Sequence, residues 1–214
     1  MMIKHWGEIP ERPLLAPGDC QLWMAWLDTE DPDSFRSSLS EDERARAARL
    51  RSSQSVKRFT VTRGILRKVL SRYLTCRPGS LVFSYGPHGK PELAGKPQPR
   101  LSFNVSHSGS LAIFAIANGV EIGVDIEEIH PISDLDATAS IFLSPEELAE
   151  FKSLPANSKL ARFFTLWTCK EAVLKAIGSG FAEPQITVQN TILQNKRLTL
   201  LTPAQGFRGA LACL

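Results

Sequence analysis

The sequence matches itself at an offset of 104 residues: Leu39–Leu70 aligns without gaps to Leu143–Leu174, with nine identities in 32 positions. These are Leu39/Leu143, Ser40/Ser144, Glu43/Glu147, Ala45/Ala149, Leu50/Leu154, Arg58/Arg162, Phe59/Phe163, Val69/Val173 and Leu70/Leu174. Unrelated stretches would share about two or three at typical residue frequencies. Shared helix-cap and core preferences also raise such a count, and they are the competing explanation. Read as a duplication, the match predicts two similar α+β halves, residues 1–118 and 119–214, joined near Asn118–Gly119. Ligand sites favour the cleft between such halves.

Local patterns fill in the halves. Cys20–Leu27 (CQLWMAWL) reads as a buried strand, and Ser40 with Glu43 three residues on is a capping box that opens a helix. A second helix, Val56–Leu74, carries Phe59, Ile65, Leu66, Val69, Leu70 and Tyr73 at helical spacing, with Arg63 and Arg67 one turn apart on another face. A strand over Leu81–Tyr85 leads into the turn Gly86–Pro91 and a second Pro-rich patch around Pro97 and Pro99. Strands follow at Leu101–Val105, Leu111–Ala117 and Val120–Ile126. Helices at Pro145–Leu154 and Arg162–Ile177 precede further strands.

Charge and cysteine content exclude several classes of function. Twenty-five Lys and Arg against 22 Asp and Glu leave a net charge of only +3, so bulk charge argues for neither nucleic acid nor an anionic membrane. Any anion site is local. Cys20, Cys76, Cys169 and Cys213 form no CxxC pair, which fits neither a zinc site nor a disulfide framework and points to a reducing cytoplasm. The N-terminal residues lack the apolar core of a signal peptide, and no apolar run reaches membrane-spanning length.

Four constellations carry the chemistry. In Val120–Glu127 (VEIGVDIE), alternation puts Asp125 and Glu127 on one strand face, about 7 Å apart along the backbone. Their oxygens suit Mg²⁺, which also takes phosphate oxygens; an ordinary solvated polar face is the alternative. In Arg162–Lys175, Trp167, Glu171 and Lys175 repeat every four residues. Glu171 and Lys175 are either a surface helix pair or, beside a metal-bound phosphate, a metal ligand or proton acceptor and a phosphate-neutralising cation. Phe103–Gly109 (FNVSHSG) is expected as a polar turn whose Ser106, His107 and N–H groups suit phosphate. No GxSxG elbow supports a hydrolase triad there. Gly89-Lys90-Pro91 holds a lysine out of a turn, and Arg46, Arg63 and Arg67 are candidates for a further cationic wall, or for an ordinary solvated helix face.

Together and in order, Gly89–Pro91, Phe103–Gly109, Gly123–Glu127 and Trp167–Lys175 resemble the GKP, FNxSHSG, GxDxE and WxxKExxxK elements of the surfactin-synthetase-type 4′-phosphopantetheinyl transferases. The resemblance covers about Leu39 to Phe181, and the Arg58–Arg67 helix looks like the cyanobacterial branch. It implies a two-half α+β fold with pseudo-twofold symmetry, in agreement with the repeat. It also implies transfer of phosphopantetheine from coenzyme A to a serine of an acyl, polyketide or peptidyl carrier protein, with release of 3′,5′-ADP. By that resemblance Asp125, Glu127 and Glu171 hold Mg²⁺, with Asp125, Glu171 and Lys175 carrying catalysis. Lys90, Pro91, Ser106, His107, Lys175, Arg63 and Arg46 meet coenzyme A. Glu43 stands where some relatives have a lysine, so the early basic contact either passes to Arg46 or is missing. Two halves in one chain make a monomer natural. The rival readings are a Mg²⁺-dependent phosphohydrolase acting on a nucleotide-like substrate, and a nucleic-acid-binding basic helix using Arg58, Arg63, Arg67, Lys68 and Arg72.

Overall fold

In a computed structural model, residues 2–95, 100–178 and 197–214 are described. The chain divides into two compact units, Met2–Val120 and Glu121–Leu214. Each is a mixed α+β assembly.

In the first unit, strands β1 (Ile3–His5) and β2 (Cys20–Trp26) are followed by helices α1 (Asp33–Arg36), α2 (Glu41–Ala48) and α3 (Ser53–Leu74). Next come β3 (Phe83–Tyr85) and β4 (Pro91–Leu93), then β5 (Leu101–Ser108) and β6 (Leu111–Asn118). The main sheet runs β1-β2-β6-β5, antiparallel except for the parallel β1–β2 pair. A separate antiparallel hairpin pairs β3 with β4. The capping box of Ser40 and Glu43 opens α2 as its spacing dictates. Helix α3 starts on Ser52, whose side chain accepts from the Ser55 N–H, and ends in the left-handed Thr75. Its apolar stripe packs Val61, Ile65, Leu66, Val69 and Leu70 against Trp23, Phe103, Phe114 and Ile116 of the sheet. Burying each such side chain stabilises the unit by about 1.5–3 kcal/mol.

The second unit holds β7 (Ile122–Glu128), α4 (Leu135–Phe142), α5 (Pro145–Ser153), α6 (Ala156–Ile177), β8 (Arg197–Leu201) and β9 (Phe207–Cys213). Its antiparallel sheet has the order β7-β9-β8. The repeat is legible in this second set of elements. Ser144 and Glu147 form the matching capping box of α5, and α6, like α3, is 22 residues long. Both capping-box glutamates are also buried ion-pair acceptors, Glu43 for Arg67 and Glu147 for Lys170. Helix α6 closes on Gly178, whose positive φ of 78° lets its N–H reach the Leu174 carbonyl.

Several expectations need correction. Helix α6 begins six residues before Arg162, and α4 and β1 had no foreseen counterpart. The expected polar turn at Phe103–Gly109 is strand up to Ser108: β5 pairs with β6 through Ser108, opposite Leu111, leaving Gly109 and Ser110 as the turn. Ladder pairing with an apolar neighbour outweighs the turn propensity of its small polar residues. Pro97 and Pro99 lie outside the described residues.

Candidate active site

The second unit gathers its acidic residues where α6 crosses β7. Gly123 is what allows the crossing, because a Cβ there would stand 2.0 Å from the Ala172 carbonyl oxygen and 2.3 Å from the Ala176 nitrogen. Strand alternation then turns Asp125 and Glu127 toward the same helix-facing side. Asp125 is only 3 % exposed, so the solvated-face reading of this strand does not hold. Lys175 does not form a surface pair with Glu171 but reaches back from α6 to Asp125, its Nζ donating to Oδ1 at 2.6 Å.

Glu171 lies one turn before Lys175 with its Oε1 buried and accepting no hydrogen bond. Burial raises its proton affinity, the charge of Asp125 raises it further, Lys175 opposes, and Glu127 adds to the rise. The three carboxylates therefore feel one another. Among the described residues no three His, Cys, Asp or Glu side chains stand as a ready-made metal-binding set; here the Lys175 ammonium supplies positive charge beside Asp125. The donors nonetheless fit a hard divalent cation. They are carboxylate oxygens in mutual repulsion, Glu171 Oε1 among them buried and accepting no hydrogen bond, which is the chemistry Mg²⁺ or Ca²⁺ requires. Opposite Glu127 in the β7–β9 register stands Arg208, half-buried on the same face. No sequence signal marked it, since the register of β9 is set only by the folded sheet. Trp167 stacks on Phe142 at 4.2 Å and belongs to the packing rather than to the carboxylates.

In the first unit, Ser106 and His107 alternate along β5, with Ser106 buried and His107 exposed on opposite faces. Lys90 and Pro91 sit where the β3–β4 hairpin turns, closed by Gly86 N–H to the Lys90 carbonyl at 2.9 Å. Arg46 is exposed on α2 with its guanidinium 5.6 Å from the Phe59 ring. The expected wall of Arg63 and Arg67 is not a wall. Arg67 is 1 % exposed, its Nε on Glu43 Oε2 at 2.7 Å and its Nη1 on the Pro78 and Leu81 carbonyls. Arg63 donates from Nε to Glu43 Oε1 at 2.8 Å and from Nη2 to the Tyr85 hydroxyl at 2.8 Å. Arg58 is bidentate on Asp28, and Lys68 lies over the Phe35 and Trp6 rings. Four of the five cations of the basic-helix reading are thus engaged with acceptors or rings of their own unit, while Arg72 is exposed.

The two units correspond to two matching family descriptions. Residues 25–118 match the N-terminal 4′-phosphopantetheinyl transferase family, and residues 121–209 match the 4′-phosphopantetheinyl transferase superfamily. The chain belongs to the 4′-phosphopantetheinyl transferase superfamily. Among its relatives, the 4′-phosphopantetheinyl transferase HetI of Nostoc sp. is 40 % identical over 186 residues, 85 % of this chain and 78 % of HetI. The transferase AcpT of Salmonella typhimurium is 35 % identical over 157 residues (73 % and 77 % of the two chains). Sfp of Bacillus subtilis is 28 % identical over 177 residues (83 % and 77 %). The chain is thus a transferase that moves phosphopantetheine from coenzyme A to a carrier protein, and nothing favours the phosphohydrolase alternative.

Proposed function

We propose that the transfer depends on Mg²⁺ and that Asp125, Glu127 and Glu171 are the side chains that hold it. When bound, the ion neutralises the coenzyme A pyrophosphate and makes its phosphorus more electrophilic. The observation that carries this reading is the buried, unsatisfied Glu171 Oε1 beside the Asp125–Lys175 contact. In the reaction, the carrier serine oxygen bonds to the phosphorus nearer the pantetheine, and the bond from that phosphorus to the bridging oxygen breaks. The bridging oxygen leaves with 3′,5′-ADP. Glu171, whose proton affinity is raised, accepts the serine proton. Lys175, already held against the carboxylates, offsets the charge that develops on the departing diphosphate. Lys90, Pro91, Ser106, His107 and Arg46 are assigned to the phosphates and adenosine of coenzyme A, on the motifs they occupy. Arg63, with its Nε on Glu43 and its Nη2 on Tyr85, is assigned to the hairpin instead.

Acyl, polyketide and peptidyl carriers are all candidates for the acceptor. Four free cysteines suit the reducing cytoplasm, and no helix among the described residues is long and apolar enough to cross a membrane. Calorimetric titration of the chain with Mg²⁺, in the presence of coenzyme A, tests the metal assignment. Binding in the wild type that is lost in Asp125→Ala supports it; equal binding by both proteins refutes it.

A further inference from the structure

The first unit buries a charge cluster that the transfer reaction does not use. Glu43, 1 % exposed, accepts from Arg63 on one oxygen and from Arg67 on the other. Both guanidinium carbons stand 5.0 Å from the centre of the Phe83 ring, and Arg63 also donates to Tyr85. Arg67 grips the carbonyls of Pro78 and Leu81, in the segment that feeds β3. Every outward arm of the cluster therefore ends on the β3–β4 hairpin or on the chain entering it.

That hairpin needs outside support. Its strands are three residues each, and a two-stranded ribbon of that size does not hold its own pose in water. Its apolar anchorage is two side chains, Phe83, which meets Phe103 at 5.5 Å, and Leu93, both only partly buried against the core. Tyr85 pairs in register with Pro91, the residue after Lys90, so whatever fixes Tyr85 fixes the neighbourhood of Lys90. Burying Glu43 and Arg67, with Arg63 half-buried beside them, is a poor way to gain stability, because well-packed apolar side chains would serve as well or better. It is a good way to fix an arrangement, since a guanidinium has directed donors in a rigid fork.

We propose that Glu43, Arg63 and Arg67 form a buried charge clamp that fixes the β3–β4 hairpin, so that Arg63 acts in the reaction as a positioning residue for Lys90. This rests on the assignment of Lys90 to coenzyme A. It gives Glu43 a duty of its own: the residue is the common acceptor that holds both arginines in place.

The test uses the full chain with coenzyme A and an apo acyl carrier protein, comparing Tyr85→Phe, Lys90→Ala and the double variant. Tyr85→Phe deletes only the hydroxyl that Arg63 holds. The expected result is a KM for coenzyme A raised about 3- to 10-fold with kcat within about twofold, and faster hydrogen exchange at the Gly86 and Ala94 amides, which bond to the Lys90 and Val82 carbonyls. In the double variant KM should match that of Lys90→Ala alone, because the clamp acts through that lysine. An unchanged KM in Tyr85→Phe, or independent effects that multiply in the double variant, overturns the proposal. If Lys90→Ala leaves KM unchanged, the Lys90 assignment has failed. The clamp is then judged on exchange: acceleration in Tyr85→Phe upholds its grip on the hairpin, and unchanged exchange refutes it.

Discussion

Replacing Gly123 with alanine places one methyl group between β7 and α6. Its carbon would lie 2.0 Å from the Ala172 carbonyl oxygen, about 1.4 Å short of ordinary contact at 3.4 Å, and 2.3 Å from the Ala176 nitrogen. Both obstacles are backbone, so no side chain can rotate away, and strand and helix have to separate. Overpacking of this kind costs about 3 kcal/mol, the upper end of the usual range. For a chain of this size that lowers Tm by about 6–12 °C. The same separation draws Lys175 and Glu171 away from Asp125, and a misplacement on the order of 1 Å costs about 10²-fold in turnover. Differential scanning calorimetry and an initial-rate transfer assay measure the two effects. A Gly123→Ala protein with Tm within about 2 °C and turnover within about threefold of wild type would refute the claim that this close approach builds the site.

Other outcomes follow from the same geometry. Because Glu171 binds its proton more tightly in the folded chain than at the ordinary carboxylate value of 4.5, ionising it costs stability. The associated stability is present below that value and is lost as pH rises through the folded one, so urea melts of the metal-free protein should show Glu171→Gln gaining on wild type as pH is raised; parallel pH curves would contradict this. Glu43→Gln leaves the buried Arg67 and the half-buried Arg63 short of an anion and should cost about 3 kcal/mol in urea unfolding. Arg58→Ala, which breaks a more exposed pair with Asp28, should cost under about 1 kcal/mol. Burial pushes the Cys169 thiol up to about 12, so in the native protein an alkylating reagent followed by peptide mass mapping should label the exposed Cys76 and spare Cys169.

What the sequence made legible was what short-range periodicity encodes. The two capping boxes, the long helices and the alternation that pairs Asp125 with Glu127 all follow from residues within a few positions of one another. The polar side of α3 was misjudged because helical periodicity separates apolar from polar faces, whereas this helix also buries Thr60, Thr62, Arg67 and Ser71. A buried arginine is indistinguishable in sequence from a solvated one until its acceptor is known, and Glu43 lies 24 residues away. The same limit hid Arg208, opposite Glu127 only through the register of β9. Gly123 was visible as a letter in VEIGVDIE, but its purpose, the backbone of α6 crossing directly above it, is a tertiary fact.

The central claim is Mg²⁺-dependent transfer of phosphopantetheine to a carrier serine, and intact-mass spectrometry tests it most directly. An apo acyl carrier protein is incubated with this chain, coenzyme A and Mg²⁺, beside a sample containing EDTA. The account predicts a gain of about 340 Da on the carrier, the mass of one phosphopantetheinyl group, with Mg²⁺ and none with EDTA. An equal gain in both samples would contradict the metal dependence, and no gain on acyl, polyketide or peptidyl carriers, with coenzyme A consumed regardless, would contradict the transfer itself.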